Sequence, residues 1–275
     1  PAVTKVPSAT KVPAVPTNAP AITQAPMTTQ TPGVTETPSV AESPDVTETP
    51  SATADAYKQA AAAGIKIVFM DQRADGLEAG KDYVSVVSAD NYGNGYASGT
   101  VLGEALGGKG KVAMVYYDAR TEAAKDVCEN YPDIEIVTEQ GFTDESGCAE
   151  QGDAILTQFP NIDGIYASWD VPMEGVLSAV RAAGMEGKVT LACNDLGNNV
   201  AREIASGNIA GGGAQMPYDQ GVAEAKLAAL ALLGEETPSY VAVPAETVTH
   251  ENVLEAYTDV YHVETPDWLK EAYVE

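Results

Sequence analysis

The chain has 275 residues, with 40 Asp and Glu against 15 Lys and Arg, for a net charge of −25. That balance excludes a nucleic-acid partner, which needs clustered Lys and Arg to displace counterions from phosphates, and it excludes seating on an anionic membrane surface. No run approaches the roughly 18 apolar residues of a membrane-spanning helix, so no direct membrane insertion is expected.

Residues 1–53 form a tract of Pro, Thr, Ala and Val. A six-residue beat with one slip sets prolines at 1, 7 and 13 and then at 20, 26, 32, 38, 44 and 50. Proline fixes φ and lacks an N–H, so neither helix nor sheet propagates. The tract reads as a disordered linker, a polyproline-II-leaning stalk reaching at most ~3.1 Å per residue. Its Thr and Ser beside proline resemble O-glycosylated stalks, with an inert spacer as the alternative. The chain opens inside this repeat without an initiator Met, which reads as a mature or fragmentary product.

Residues 54–275 carry the pattern of a folded domain. ADAYKQAAAAG reads as a helix stopped by Gly64. Apolar runs of strand length follow at 65–71 and 83–90, then a helix through ASGTVLGEALGG and a strand at 111–118. A short helix near 121–130, a strand at 134–140, a helix at 144–158 and a strand at 163–170 come next. Helix 173–183, strand 188–195, helix 197–206, strand 209–215, helix 218–233 and strand 240–248 complete the alternation before a helical tail. Unbroken apolar strands separated by helices predict an α/β fold, doubly wound, with a parallel sheet covered on both faces.

In open α/β sheets ligands bind outside the carboxyl ends of the strands. The strand at 65–71 ends in Asp71, Gln72 and Arg73; the strand at 163–170 ends in Trp169 and Asp170. The strand at 188–195 ends in Asn194 and Asp195, and the strand at 209–215 in Gln215. A single Asp at such a place often only caps the next helix, and Asp195 fits that role. Taken together, an indole face beside carboxylates, amides and a guanidinium suits a polyhydroxylated ring, whose C–H face stacks while its hydroxyls donate and accept.

The segments AAAGIKIVFMDQ, YVSVVSADNYGNGYASG, GKGKVAMVYYDA, YPDIEIV, PNIDGIYASWD, GVLSAVRAAG, NDLG and GGAQMPYDQGVAEA resemble type I periplasmic sugar-binding proteins, the solute receptors of ribose-type ABC importers. The resemblance runs from about residue 54 to 258. It implies two α/β lobes joined by a hinge, a small-molecule sugar as ligand and an ABC permease as partner. By motif position it assigns Asp71 and Gln72 to an acidic–basic pair with Gln72 in place of Arg. It sets Trp169 and Asp170 on an Asn-Asp motif, Asn194 and Asp195 on an aromatic-Asp pair, and Gln215 on a hinge-side Gln. Two departures stand out. About three β-α units expected before 65–71 are missing, and the segment from Asp118 to Pro132 is short, leaving Arg120 as a doubtful counterpart of a sugar-binding Arg. The implied lobes are a nearly intact one at 91–213 and a small one from about 54–90 and 218–248.

Other motifs carry less. GNGYAS at 93–98 falls one residue short of a dinucleotide fingerprint, and GEALGGKG places its glycines after a helix rather than before one. No GxSxG elbow occurs, and only His250 and His262 are available for a histidine-based zinc site. Cys128, Cys148 and Cys193 form no CxxC and read as separate buried thiols, with a Cys128–Cys148 disulfide as the alternative. The expected function is therefore an extracytoplasmic, non-enzymatic binding protein without cofactor, delivering a sugar to an ABC importer. The alternatives are a stalked surface or sensory module and a truncated, non-binding relative.

Overall fold

The computed structural model of the protein describes residues 50–116, 119–142 and 144–274. The proline-rich tract therefore lies outside the described residues up to residue 49. Its last proline opens helix α1 (Pro50–Ala62), at the first-turn position where a missing N–H costs no hydrogen bond.

Two sheets follow from the alternation. The smaller contains β1 (Val68–Met70), β2 (Ser85–Ala89) and β8 (Tyr240–Val243), all parallel, in the order β1-β2-β8. The larger runs β4-β3-β5-β6-β7-β9, built from β3 (Lys109–Tyr116), β4 (Asp133–Gly141), β5 (Gly164–Ala167), β6 (Thr190–Cys193), β7 (Gly211–Ala214) and β9 (Glu246–Thr249). Its helices are α2 (Asn91–Ala105), α3 (Ala119–Glu129), α4 (Cys148–Gln158), α5 (Asp170–Ala182), α6 (Asn198–Ala205), α8 (Val253–Tyr261) and α9 (Asp267–Ala272). Helix α7 (Pro217–Leu233) packs on β1 and β2 of the small sheet. The chain passes between the sheets three times, at residues 89–91, 214–217 and 243–246. Among the described residues no helix is long and apolar enough to cross a membrane.

The α/β expectation holds, with two corrections. The run read as one strand at 240–248 is two, because Pro244 breaks the ladder and the chain changes sheets there. Its second half, β9, pairs antiparallel with β7, so the large sheet is not purely parallel. The helix read from residue 97 starts six residues earlier, where the Asp90 carboxylate accepts the N–H of Gly93 at 2.9 Å.

That earlier start gives GNGYASG its purpose. Gly95 and Gly99 lie where α2 crosses α3. A Cβ on Gly95 would stand 1.9 Å from the Arg120 carbonyl oxygen, and one on Gly99 would stand 2.8 Å from Ala124 backbone atoms. These glycines serve close helix packing rather than a phosphate, and the crossing sets Arg120 against the start of α2. The core is centred on the larger sheet: Ile165 and Ala167 of β5 are fully buried with Met173 and Val176 of α5 on one face, and Tyr166 is fully buried with Leu102 of α2 and Met114 of β3 on the other. The small sheet has its own cluster of Ala54, Phe69, Leu77 and Val86, with Phe69 edge-on to Tyr57 and Tyr83. The three cysteines are buried and not joined to one another, so the alternative Cys128–Cys148 disulfide is not formed. Burial pushes the Cys128 thiol up to about 11.

Candidate functional site

The strand ends deliver polar groups beside the crossings at 89–91 and 214–217. Asp195, two residues after β6, adopts φ 67, a left-handed conformation that turns the chain sharply. It does not cap α6, whose N-cap is Gly197 with no side-chain bond. Instead its Oδ2 accepts from Arg120 Nη1 at 3.0 Å and its Oδ1 from Gln215 Nε2 at 2.7 Å. Arg120 also donates through Nε to Asn91 Oδ1 at 2.8 Å. One carboxylate thus ties the end of β6 to α3, to the crossing at 214–217 and, through Arg120, to the crossing at 89–91.

Asp170 opens α5 one residue after Trp169. Its Oδ1 accepts the Val171 N–H at 2.9 Å. Burial raises its carboxyl above the usual carboxylate range, and the neighbouring Asp195 charge adds to that. The room for Asp170 comes from Gly197, where a Cβ would lie 2.1 Å from Asp170 Oδ2. Asp170, Asp195, Gly197, Gln215 and Tyr261 line a hollow of about 210 Å³. The Tyr261 hydroxyl donates to the Leu196 carbonyl at 2.7 Å, and burial pushes it up to about 12. Beside this group the partly exposed Trp169 indole meets Phe142 edge-on, with centroids 5.2 Å apart.

On the small sheet, Asp71 follows β1, also with positive φ. Its Oδ1 accepts from Ser88 at 3.2 Å and from Gln220 Nε2 at 3.1 Å. Gln220 sits in the first turns of α7, five residues beyond Gln215. The same crossing therefore holds a partner of Asp71 and a partner of Asp195.

The structure gathers Trp169, Asp170, Asp195 and Gln215 at the ends of the large sheet and places Asp71 at the end of the small one. Gln72 and Arg73 are exposed, and Arg73 Nη1 donates to the adjacent Ala74 carbonyl at 3.2 Å. Asn194 requires correction. It is fully buried, its Nδ2 donates to Tyr166 Oη at 2.7 Å and Ser168 O at 2.8 Å, and its Oδ1 accepts from Ser98 at 2.6 Å. It braces the floor of the cleft and has no surface to offer a ligand. Arg120, left in doubt by the shortened segment, stands inside the group. Asn91, Phe142 and Tyr261 were not read from the sequence. Only Asn91 gave a signal there, as the residue after the Asp90 helix cap.

A profile of the periplasmic binding protein domain matches residues 46–236. The chain belongs to the periplasmic binding protein family. Its two α/β sheets carry the type I fold of that family. The D-allose-binding periplasmic protein of Escherichia coli is 27% identical over 176 residues, covering 60% of this chain and 57% of that protein, so the chain spans little more than half of this relative. Among solved structures, an ABC transporter periplasmic solute binding protein from Actinobacillus succinogenes with bound D-allose is 30% identical, with a TM-score of 0.67. The match covers 73% of this chain and 75% of that one. An ABC transporter solute binding protein from Bacillus halodurans with bound myo-inositol shares the fold at a TM-score of 0.65 and 24% identity, over 77% of this chain and 75% of that one.

Proposed function

We propose that this periplasmic binding protein is an extracytoplasmic receptor for an uncharged sugar or cyclic polyol, which it hands to the permease of an ABC importer. The observation that carries this reading is the network of Arg120, Asp195 and Gln215 beside Asp170 and the Trp169 face. Carboxylates accept from hydroxyls, the guanidinium and amide donate, and the indole takes a C–H face. The surplus of carboxylates over cations at the site disfavours an anionic ligand such as a uronate or a sugar phosphate. Relatives with D-allose and myo-inositol bound support the same ligand chemistry. The residues proposed to bind are Asp71, Arg120, Trp169, Asp170, Asp195 and Gln215. The function is binding without catalysis, and the tract ahead of α1, residues 1–49, acts as a spacer.

A ligand that binds the native state alone raises the melting temperature. A thermal-shift screen should therefore include D-allose, D-ribose, D-galactose and myo-inositol, with glucuronate as the acidic control, followed by calorimetry on any hit. Stabilisation by a neutral sugar or polyol and none by glucuronate is the expected result. A flat response to every neutral ligand would overturn the reading.

A further inference from the structure

Helix α8 carries two tyrosines one turn apart, and both reach the turn after β6. The Tyr257 hydroxyl donates to Asn198 Oδ1 at 2.8 Å and the Tyr261 hydroxyl to the Leu196 carbonyl at 2.7 Å, so the pair grips the chain on either side of Gly197. Their ring centroids lie 4.7 Å apart, and Tyr257 is buried. The chain folds back after the helix, where Thr265 Oγ1 donates to the Leu254 carbonyl at 2.8 Å. Tyr261 is therefore fixed by its own helix and by the turn, without help from a ligand.

Its position is that of a partition. Gln215, Pro217 and Tyr261 line the hollow of about 210 Å³ that also holds Asp170 and Asp195. Met216, between the first two, and His262, next after Tyr261, line a separate hollow of about 580 Å³. Neighbouring residues thus face opposite hollows, and the end of α8 stands between the two. His262 is held on its own side by stacking on Tyr218, with centroids 4.0 Å apart. The smaller hollow equals about seven waters at their share of ~30 Å³ each. That is room for one sugar ring and not for two.

From this placement we propose that Tyr261 is a specificity-determining residue of the sugar site, its ring closing the hollow beside Asp170 and Asp195 and confining the ligand to a single ring. The proposal rests on the receptor reading above. The side chain suits the task. Its one proton is given to the Leu196 carbonyl, so toward the hollow the phenol oxygen accepts from a ligand hydroxyl and does not donate. Burial, with Tyr257, Asp170 and Asp195 nearby, pushes that hydroxyl up to about 12, so the bond to Leu196 persists at neutral pH.

The test compares the full chain with its Tyr261→Phe and Tyr261→Ala variants by calorimetry. D-allose, D-ribose, D-galactose and myo-inositol serve as one-ring probes, and lactose and cellobiose as two-ring probes. Wild type and Tyr261→Phe both keep the ring and should prefer the best one-ring probe to either disaccharide by about a hundredfold or more. Tyr261→Ala should bind that probe about tenfold more weakly and reduce the preference to about tenfold or less. Tyr261→Leu, which still packs on Tyr257, replaces the alanine variant if that fails to fold, with the same expected loss of preference. A role confined to clamping the turn would weaken every probe alike and leave the ratio untouched. An unchanged ratio in a variant lacking the ring, with wild type still binding a single ring, would therefore overturn this inference alone. A wild type that binds no one-ring probe would overturn the receptor reading and this inference with it.

Discussion

Arg120 and Asp195 are paired at the floor of the cleft, Nη1 to Oδ2 at 3.0 Å, with 12% and 19% of their side chains exposed. At that burial, removing the cation leaves a carboxylate without its counter-charge. Arg120→Ala should cost about 2–3 kcal/mol of stability, somewhat under the figure for a fully buried pair. Arg120→Lys should recover part of it, since an ammonium cannot reproduce the fork that reaches Asp195 and Asn91 together. Urea denaturation of the three proteins measures this, and an Arg120→Ala midpoint equal to wild type would contradict it.

Asp170 sets a pH dependence. Its carboxyl lies above the ordinary range in the folded state, first because of burial and then because of Asp195. Between the unfolded and the folded values the native state holds more protons, so stability falls as pH rises through that window. Asp170→Asn should be more stable than wild type at pH 7, and the difference should shrink as pH falls through the folded value toward the ordinary carboxylate range. Paired denaturation curves at pH 7 and pH 4 test the sign.

Gly197→Ala separates the site from the fold. Gly197 has φ −58 and ψ 156, which alanine adopts without strain, yet its Cβ would fall 2.1 Å from Asp170 Oδ2. The carboxylate must move. Ligand affinity should drop about tenfold, a loss of about 1.4 kcal/mol, while the melting temperature changes by only a few degrees. Unchanged affinity by calorimetry would remove Asp170 from the site.

Trp169→Ala should abolish a ligand-induced change in fluorescence. The chain has two tryptophans. The other, Trp268, packs edge-on to Tyr257 and beneath Arg202, so it supplies a constant background. The loss of stacking area should weaken binding by about 1–2 kcal/mol. A fluorescence response that survives the substitution would assign the signal to Trp268.

Ser98→Ala should be the most damaging of these substitutions to stability. The buried Ser98 hydroxyl accepts the Gly213 N–H at 2.8 Å and lies 2.6 Å from Asn194 Oδ1 and 3.0 Å from Cys193 O. Its removal strands a buried donor and a buried acceptor, at about 3 kcal/mol together. Chemical denaturation measures the loss, and a cost under 1 kcal/mol would show that the core rearranges around the gap.

The sequence announced the alternation and the strand ends because both are local. Buried parallel strands are continuous apolar runs, and β5 reads directly as GIYA before Trp169 and Asp170. The roles of those end residues were less legible. Asn194 and Asp195 are adjacent polar residues that look alike in a string. One points down among Tyr166, Ser168 and Ser98, and the other turns outward through a positive φ. Arg120 was obscured for a different reason. What brings it to Asp195 is the close crossing of α2 and α3 over Gly95, a contact 25 residues away in the chain that no local pattern displays. The break at Pro244 was visible as a proline, yet its consequence, a change of sheet, depends on where β2 and β7 lie.

The three crossings also fix an order of assembly. Strands β3 to β7 of the large sheet are consecutive in the chain and can associate as soon as they are synthesised. In the small sheet Val86 pairs with Tyr240, so β2 waits for almost the whole chain to emerge before its second neighbour exists. A ribosome stalled before residue 240 would hold a nascent chain with one sheet able to form and the other still waiting, its apolar strands within reach of chaperones.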